Sequence, residues 1–336
     1  MAIGLAVVAC LPGAARAKTT AAGPYVLVVK AGAYGDYSLS LVSLDGRVVA
    51  QAAAHGRSLI QGLGGVAVPL PGASASADRA YYLDGDRQVR YLTPQGANGL
   101  ATTLGVGPHA HAAFAVSADD KRIAVTIVDY SGPTPAMHLT TRPLVGGTAV
   151  PLFSSSSVFE WPVRLHGDAL VLAVLQGSAY VRTSAGNPAN AFDGYHVVDL
   201  NTGARRTALC PSGDAVGPLV AAGTLCTAPG SGDLSAQSLA GTTRRFGQTG
   251  VSPVLSPDGA RIAASDGHYI FVLDASGKRT TTAVQGLPRA WIDATHLFVA
   301  NGFGASARLG ILDLRSRSVS VLAIAGQFAG VLPGLS

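Results

Sequence analysis

Charged residues are scarce in this chain: 13% of its 336 residues are Asp, Glu, Lys or Arg. One glutamate is present, Glu160, so an acid/base pair made of two glutamates is excluded and any such pair must use aspartate. Aromatic residues make up 6% of the chain and are not interleaved with basic residues. Surfaces that bind nucleic acids combine aromatic side chains with neighbouring basic ones, so no nucleic-acid partner is predicted.

Helical signals are also missing. After residue 20, no window of about 11 to 18 residues combines a helical apolar period with end caps. The chain has instead 42 glycines and recurrent Thr, Val and Tyr runs, which are typical of strands joined by tight turns. The sequence therefore predicts an all-β fold.

Three enzyme motifs are absent from the sequence: the Gly-x-Ser-x-Gly nucleophile elbow, the His-Glu-x-x-His zinc pair and the glycine-rich phosphate loop. Their absence removes the commonest sequence-level arguments for a serine hydrolase, a zinc protease or a nucleotide-binding enzyme.

Hairpin turns of one kind recur along the chain, each after a short alternating strand. Their average spacing is roughly 45 residues, which is the period of four-stranded propeller blades. The turns are Leu44-Asp45-Gly46, Pro94-Gln95-Gly96, Val145-Gly146-Gly147, Asn201-Thr202-Gly203, Ala240-Gly241-Thr242, Ser276-Gly277-Lys278 and Arg315-Ser316-Arg317.

A second turn recurs inside the period. The segment Ser256-Pro257-Asp258-Gly259-Ala260-Arg261-Ile262-Ala263 aligns residue by residue with Ser117-Ala118-Asp119-Asp120-Lys121-Arg122-Ile123-Ala124. Both segments resemble the TolB-type, WD-repeat-like β-propeller repeats of bacterial envelope proteins. The resemblance implies a propeller, and it implies little about function because propellers host many unrelated activities.

We predict a seven-bladed β-propeller, with six or eight blades as the alternative counts. The C-terminal strand around Phe328–Leu332 should pair beside the strand that starts at Pro24, because this closes the ring and removes its open edges. The predicted blades span roughly residues 24–58, 59–108, 109–154, 158–211, 215–249, 250–286 and 287–325.

Residues 1–23 are predicted to be an export segment and leader, and residues 24–336 a single propeller domain. Residues 2–9 form an apolar run too short to span a bilayer, and Ala15-Arg16-Ala17 suits signal cleavage. Val7-Val8-Ala9-Cys10 also resembles a lipobox, which would place a lipid on Cys10. A secreted protein and a membrane-anchored lipoprotein therefore both fit an extracytoplasmic location in a bacterium.

Two further cysteines, Cys210 and Cys226, remain. An even pair in an exported chain favours a disulfide, for which the chain-entropy model gives about 3 kcal/mol. Two separate buried thiols are the alternative.

Enlarged loops are predicted on one face of the ring, where the second and third strands of a blade connect. Loops on a rigid ring often carry function, and clustered aromatic side chains suit a peptide or a sugar. The aromatic residues of these loops are Tyr34, Tyr37, Tyr130, Tyr180, Phe192 and Phe303. They are predicted ligand-binding residues, and the alternative is that each ring packs its own loop.

Three polar residues complete the predicted site. His109 and His111 should share one face of a strand, a spacing that suits a metal ion, and Glu160 should begin an inner strand near the channel mouth. Because a third metal ligand is not identifiable, no metal or other cofactor is predicted, and the residues are assigned to ligand binding.

The predicted function is non-enzymatic: an exported monomer that binds an envelope protein, peptide or glycan through its loop-rich face. It would touch the membrane only through a lipid on Cys10. The alternative is a propeller-type polysaccharide lyase or hydrolase that uses His109, His111 and Glu160 at the channel mouth. A structural spacer between envelope proteins is the third hypothesis.

Overall fold

The computed structural model describes residues 23–56, 73–176, 194–211, 215–228, 230–247, 250–301 and 307–333. Over these residues the chain forms twenty-eight strands and one short 3-10 helix, Ala33–Gly35. The strands make seven four-stranded antiparallel sheets, the blades of one ring. This confirms the all-β, seven-bladed prediction over the six- and eight-bladed alternatives. Within the described ranges, no helix reaches the length and apolarity needed to cross a membrane.

The strands follow the chain order blade by blade, except that blade 1 takes its innermost strand from the C-terminus. Blade 1 consists of β28 (Gln327–Leu332), β1 (Tyr25–Ala31), β2 (Tyr37–Ser43) and β3 (Val48–Ala54). Blade 2 consists of β4 (Ala73–Ala75), β5 (Ala80–Asp84), β6 (Gln88–Leu92) and β7 (Asn98–Thr103). Blade 3 consists of β8 (Ala110–Val116), β9 (Arg122–Asp129), β10 (Ala136–Pro143) and β11 (Val150–Ser155).

The remaining blades need no exchange of strands. Blade 4 consists of β12 (Val158–His166), β13 (Ala169–Gln176), β14 (Gly194–Asp199) and β15 (Arg205–Leu209), and blade 5 of β16 (Ala215–Val220), β17 (Gly223–Thr227), β18 (Leu234–Gln237) and β19 (Thr243–Gly247). Blade 6 consists of β20 (Val251–Leu255), β21 (Arg261–Ser265), β22 (Tyr269–Asp274) and β23 (Arg279–Gln285). Blade 7 consists of β24 (Leu287–Trp291), β25 (His296–Asn301), β26 (Arg308–Asp313) and β27 (Ser318–Val321).

The ring closes where the C-terminal strand β28 pairs antiparallel with β1. Tyr25 lies opposite Leu332 and Val26 lies opposite Val331, so β28 is the innermost strand of blade 1. The predicted pairing of the two chain ends is confirmed.

The seven predicted hairpin turns all join the third and fourth strands of a blade. Most contain a glycine with positive φ, such as Gly46 at 85° and Gly277 at 84°, a conformation that a residue with a Cβ adopts only at a cost. Because these turns occupy the same place in every blade, their spacing along the chain marks the blade repeat.

Apolar clusters fill the junctions between neighbouring blades. Leu139 of blade 3 packs with Leu165 and Leu172 of blade 4, and Val26 of blade 1 packs with Ile311 of blade 7. Burying one such side chain stabilises the fold by about 1.5 to 3 kcal/mol. The innermost strand of blade 3, β8, is buried at all of its positions.

The strand order gives the ring two different faces. The loop face carries the links between blades and the connections between second and third strands, which include residues 32–36, 85–87, 130–135, 230–233 and 266–268. The turn face carries the first-to-second and third-to-fourth turns. Neighbouring loops of different blades meet on the loop face, which is where a site can be built from several blades.

Candidate functional site

An open cleft of about 570 Å³ lies on the loop face. Blade 1 ends there, the second-to-third-strand turn of blade 2 borders it, and the link from blade 2 to blade 3 forms its far wall. The lining residues are His55, Asp84, Gly85, Asp86, Arg87, Gln88, Gly107 and Pro108.

The turn of blade 2 places the polar side chains of this cleft. Asp84 ends β5 and pairs across the hairpin with Gln88, the first residue of β6. Gly85 adopts a positive φ of 63°, and its N–H donates to the carbonyl oxygen of His55 over 3.1 Å. The carbonyl of Arg87 accepts from the Leu104 N–H over 2.8 Å. The turn is therefore tied to blade 1 on one side and to its own outer strand on the other.

His55 and Asp84 form an ion pair in the cleft. The Asp84 carboxylate lies 2.8 Å from the ring Nδ1 of His55 and accepts the His55 backbone N–H over 2.8 Å. The hydrogen bond to the Asp84 carboxylate raises the pKa of His55. Partial burial opposes the ionisation of Asp84, but the hydrogen bonds from His55 outweigh it and lower the pKa of Asp84. Arg90 adds positive charge, with its Nε 3.9 Å from Asp84.

The loop between β1 and β2 is fixed beside the cleft. Asp36 accepts the N–H of Gly56 over 2.7 Å, and the hydroxyl of Tyr37 donates to the carbonyl of Leu83. Tyr34 belongs to the short helix Ala33–Gly35 in this loop. The Asp36 contact holds the loop to the end of blade 1, and the Tyr37 contact joins blades 1 and 2 at the cleft wall.

The predicted aromatic residues do not form one exposed cluster over the described residues. Tyr37 is half-buried against the cluster between blades 1 and 2. Tyr130 is 7% exposed and packs edge-on against His111, with ring centroids 6.0 Å apart. Tyr180, Phe192 and Phe303 lie outside the described residues.

The two predicted histidines differ in their solvent exposure. His109 is exposed and directly precedes β8, whereas His111 lies within that strand and is 8% exposed. In the described part of the chain, no group of three or more His, Cys, Asp and Glu side chains is placed to hold a metal ion.

Glu160 lies on the inner strand β12, as predicted, but its carboxylate is fully buried between blades 3 and 4. Its Oε1 lies 2.5 Å from Nδ1 of His196 and accepts a hydrogen bond from Arg205. The Arg205 guanidinium stacks 3.7 Å above the ring centroid of Phe153 in blade 3. Burial opposes ionisation, but the hydrogen bonds from His196 and Arg205 outweigh it, so the pKa of Glu160 is lowered. The Glu160 carboxylate therefore ties β12 to β14 and β15 of its own blade, and Arg205 extends the contact to Phe153 of blade 3.

A disulfide joins Cys210, which follows β15, to Cys226 in β17, with 5.3 Å between their Cα atoms. It links blade 4 to blade 5. The predicted lipidation residue, Cys10, lies outside the described residues.

The sequence reasoning missed the cleft residues His55, Asp84, Asp86 and Arg87. It searched the longest loops for aromatic residues, and the turn at 85–87 is short. The signal was nevertheless present: the blade period places Asp84-Gly85-Asp86-Arg87 at a second-to-third-strand turn, and four successive turn residues include three that carry charge.

No protein-family model and no curated protein matches this chain. Solved structures do. An oligogalacturonate lyase from Vibrio parahaemolyticus is 8% identical with a TM-score of 0.55, over 85% of this chain and 91% of that one. Dipeptidyl peptidase 4 from Porphyromonas gingivalis is 9% identical with a TM-score of 0.51, over 88% of this chain and 50% of that one.

TolB from Acinetobacter baumannii is also among the matches, at 15% identity and a TM-score of 0.47. The match covers 93% of this chain and 65% of the TolB structure, so the chain spans about two thirds of that protein's length. At these identities the structures share a fold and no function can be transferred. The chain is a seven-bladed β-propeller, with TolB among the solved propellers that it resembles.

Proposed function

We propose that this chain is an exported binding propeller that holds a protein, peptide or glycan of the cell envelope on its loop face. The observation that carries the proposal is the polar cleft at the junction of blades 1 and 2, lined by residues 84–88 with His55. Its volume lies in the range of ligand sites, and convergent polar groups on a rigid scaffold are what such sites use to orient a ligand.

Two features support export. The Cys210–Cys226 disulfide suits an oxidising compartment outside the cytoplasm. The apolar run at 2–9 and the small-residue site Ala15-Arg16-Ala17 suit a secretion signal, although both lie outside the described residues. A lipid on Cys10 would make the protein a membrane-anchored form of the same binder.

The proposal stays with binding rather than catalysis. The solved lyase supports only a shared fold, because it is 8% identical to this chain. The residues that the catalytic hypothesis would use do not converge: Glu160 is buried and engaged with His196 and Arg205, while His111 is packed against Tyr130. Their geometry favours a role in packing.

Photo-crosslinking in intact cells tests which face binds. A photoreactive residue is introduced at the exposed loop-face position Ser131 or at Phe192, and at the exposed turn-face positions Lys278 or Ser316 as matched controls. We expect discrete adducts from the loop-face positions and none from the turn-face ones, with mass spectrometry assigning the adduct to a protein, a peptide or a glycan. Adducts from the turn face alone would contradict the proposal, and no adduct from either face would favour a structural spacer.

A further inference from the structure

We infer that the cleft between blades 1 and 2 takes a neutral oligosaccharide. The inference rests on the proposed function, because it names the ligand class for the loop face. Three properties of the cleft carry it: the kind of side chains that line it, the balance of their charges and the way its strands are paired.

Planar polar side chains stand at consecutive positions of the cleft turn. Asp86 carries a carboxylate, Arg87 a guanidinium and Gln88 an amide, and the last two residues are exposed. The carboxylate offers two acceptors, the guanidinium a fork of donors, and the amide one of each kind. Neighbouring hydroxyl groups on a sugar ring both donate and accept, so planar groups of this kind can bind two hydroxyls at once.

Opposite charges balance within the cleft. Two carboxylates, Asp84 and Asp86, line the cleft together with the guanidinium of Arg87 and the imidazole of His55. Asp84 is already met by His55 and by Arg90, at 2.8 Å and 3.9 Å. A phosphorylated or acidic ligand would need an excess of positive charge, and a metal ion or polyamine an excess of negative charge. The balance favours an uncharged ligand rich in hydroxyl groups.

Peptides usually bind through an apolar pocket or by adding a strand to a sheet, and the cleft turn of blade 2 supports neither mode. Among the described lining residues Pro108 is the one apolar side chain, while the neighbouring Leu83 and Val89 are 1% and 0% exposed and belong to the core. The two strands that the cleft turn joins, β5 and β6, are paired on both edges, so neither can accept an added strand. Over the described lining residues, the cleft turn therefore offers a peptide neither an apolar pocket nor an unpaired edge on β5 or β6.

The cleft is also held in place before a ligand arrives. His55 is fixed by Asp84, Asp36 binds the Gly56 N–H over 2.7 Å, and Tyr37 joins the loop to Leu83. A wall that is already ordered loses little entropy on binding, which matters for sugars because their hydrogen bonds only replace those with water.

Binding of labelled glycans to the full, oxidised chain tests the inference. The neutral probes are hexasaccharides of α-1,4-glucose, β-1,4-glucose, β-1,4-mannose and β-1,4-N-acetylglucosamine, and the anionic comparator is hexagalacturonate. We expect saturable binding of at least one neutral probe. Arg87→Ala and Gln88→Ala should each weaken it about tenfold, because each removes hydrogen bonds to the ligand. Arg315→Ala, an exposed arginine on the turn face, should bind like the wild type.

Because Arg87 and Gln88 are exposed, both variants should fold, and their thermal unfolding midpoints, compared with that of the wild type, check this. The inference is overturned if no neutral probe binds, if hexagalacturonate alone binds, or if binding survives both cleft substitutions. The crosslinking result separates the two claims. A loop-face protein or peptide adduct without glycan binding overturns the sugar ligand and keeps the proposed function, whereas the absence of both overturns the two together.

Discussion

Glu160 places a negative charge inside the junction between blades 3 and 4. Its side chain is 0% exposed, while those of His196 and Arg205 are 29% and 31% exposed, so the positive partners reach in from the surface. Over the described residues, Oε2 of Glu160 makes no hydrogen bond. A buried carboxylate of this kind depends on its partners, because its desolvation is repaid only while they stay in place.

Replacing Glu160 with glutamine should lower the free energy of unfolding by about 2 kcal/mol, since His196 and Arg205 lose their anionic acceptor. Urea unfolding measures the change. Asp233→Asn removes the same charge from an exposed loop and should alter stability by less than about 0.5 kcal/mol. Equal effects of the two substitutions would show that the buried ion pair does not stabilise the junction.

The same variant reveals the pH dependence of this contact. The pKa of Glu160 lies below its ordinary value of 4.5, because hydrogen bonds to the ionised form outweigh burial. A lowered folded-state pKa means that the stabilisation is complete above pH 4.5 and is lost as the pH falls through the folded-state value. The advantage of the wild type over Glu160→Gln should therefore shrink only below that pH. An advantage that already disappears near neutral pH would contradict this account.

At the scale of single elements, one serine-aspartate turn is built twice. The hydroxyl of Ser256 donates to Asp258 over 2.6 Å and accepts the Arg261 N–H over 2.9 Å. Ser117 makes the same two contacts, to Asp119 over 2.6 Å and from Arg122 over 2.9 Å. The alignment of the two segments in the sequence thus corresponds to one hydrogen-bonded structure between the first and second strands of blades 6 and 3.

Ser256→Ala should destabilise the protein by about 1 to 2 kcal/mol, because Ser256 is fully buried and its loss leaves the Arg261 N–H without that acceptor. Ser276→Ala is the matched control. Its hydroxyl also donates to an aspartate, Asp274, over 2.6 Å, but it is exposed and water can replace it. Urea unfolding should show a change below about 0.5 kcal/mol for the control. A similar loss for both serines would rule out burial as the reason.

Local chemistry explains why elements of this kind were predictable. Asp274 and Asp313 cap their hairpin turns, and each accepts a backbone N–H two residues later, over 2.9 Å and 2.8 Å. The hydrogen bonds that cause such a turn join residues within about five positions of each other, so the turn can be predicted from the local sequence. Repeated at a fixed period, the turns also predict the blades.

The functional candidates follow from the whole molecule instead. Glu160 meets partners 36 and 45 residues away, and Asp84 meets His55 across 29 residues. The Glu160 pairs form because β12, β14 and β15 belong to one sheet, the Asp84 pair forms because the ring places blade 1 beside blade 2, and no local spacing encodes either. The sequence therefore predicted a site on the loop face, and its blade period marks the charged turn at 84–87, while the pairing of this turn with His55 emerged only from the assembled blades.

Ring closure is the property that all blades share, since each blade is covered by its neighbours only when the circle is complete. β28 supplies the last strand: Val331 and Leu332 are 7% and 1% exposed, and Val331 packs with blade 7 as well as blade 1. Without β28, the backbone edge of β1 would be open, and an open apolar edge promotes association between chains.

A chain that ends at Gly326 should therefore lose about 3 to 6 kcal/mol of unfolding free energy from the two apolar side chains alone, and it should form oligomers through the open edge of β1. Urea unfolding and light scattering after gel filtration measure both effects. A chain that ends at Pro333 keeps the whole strand and should behave like the wild type. Val331→Asp tests the same closure in a full-length chain, by placing a charge at the junction of blades 1 and 7. A monomeric, equally stable chain ending at Gly326 would show that the ring does not need its C-terminal strand.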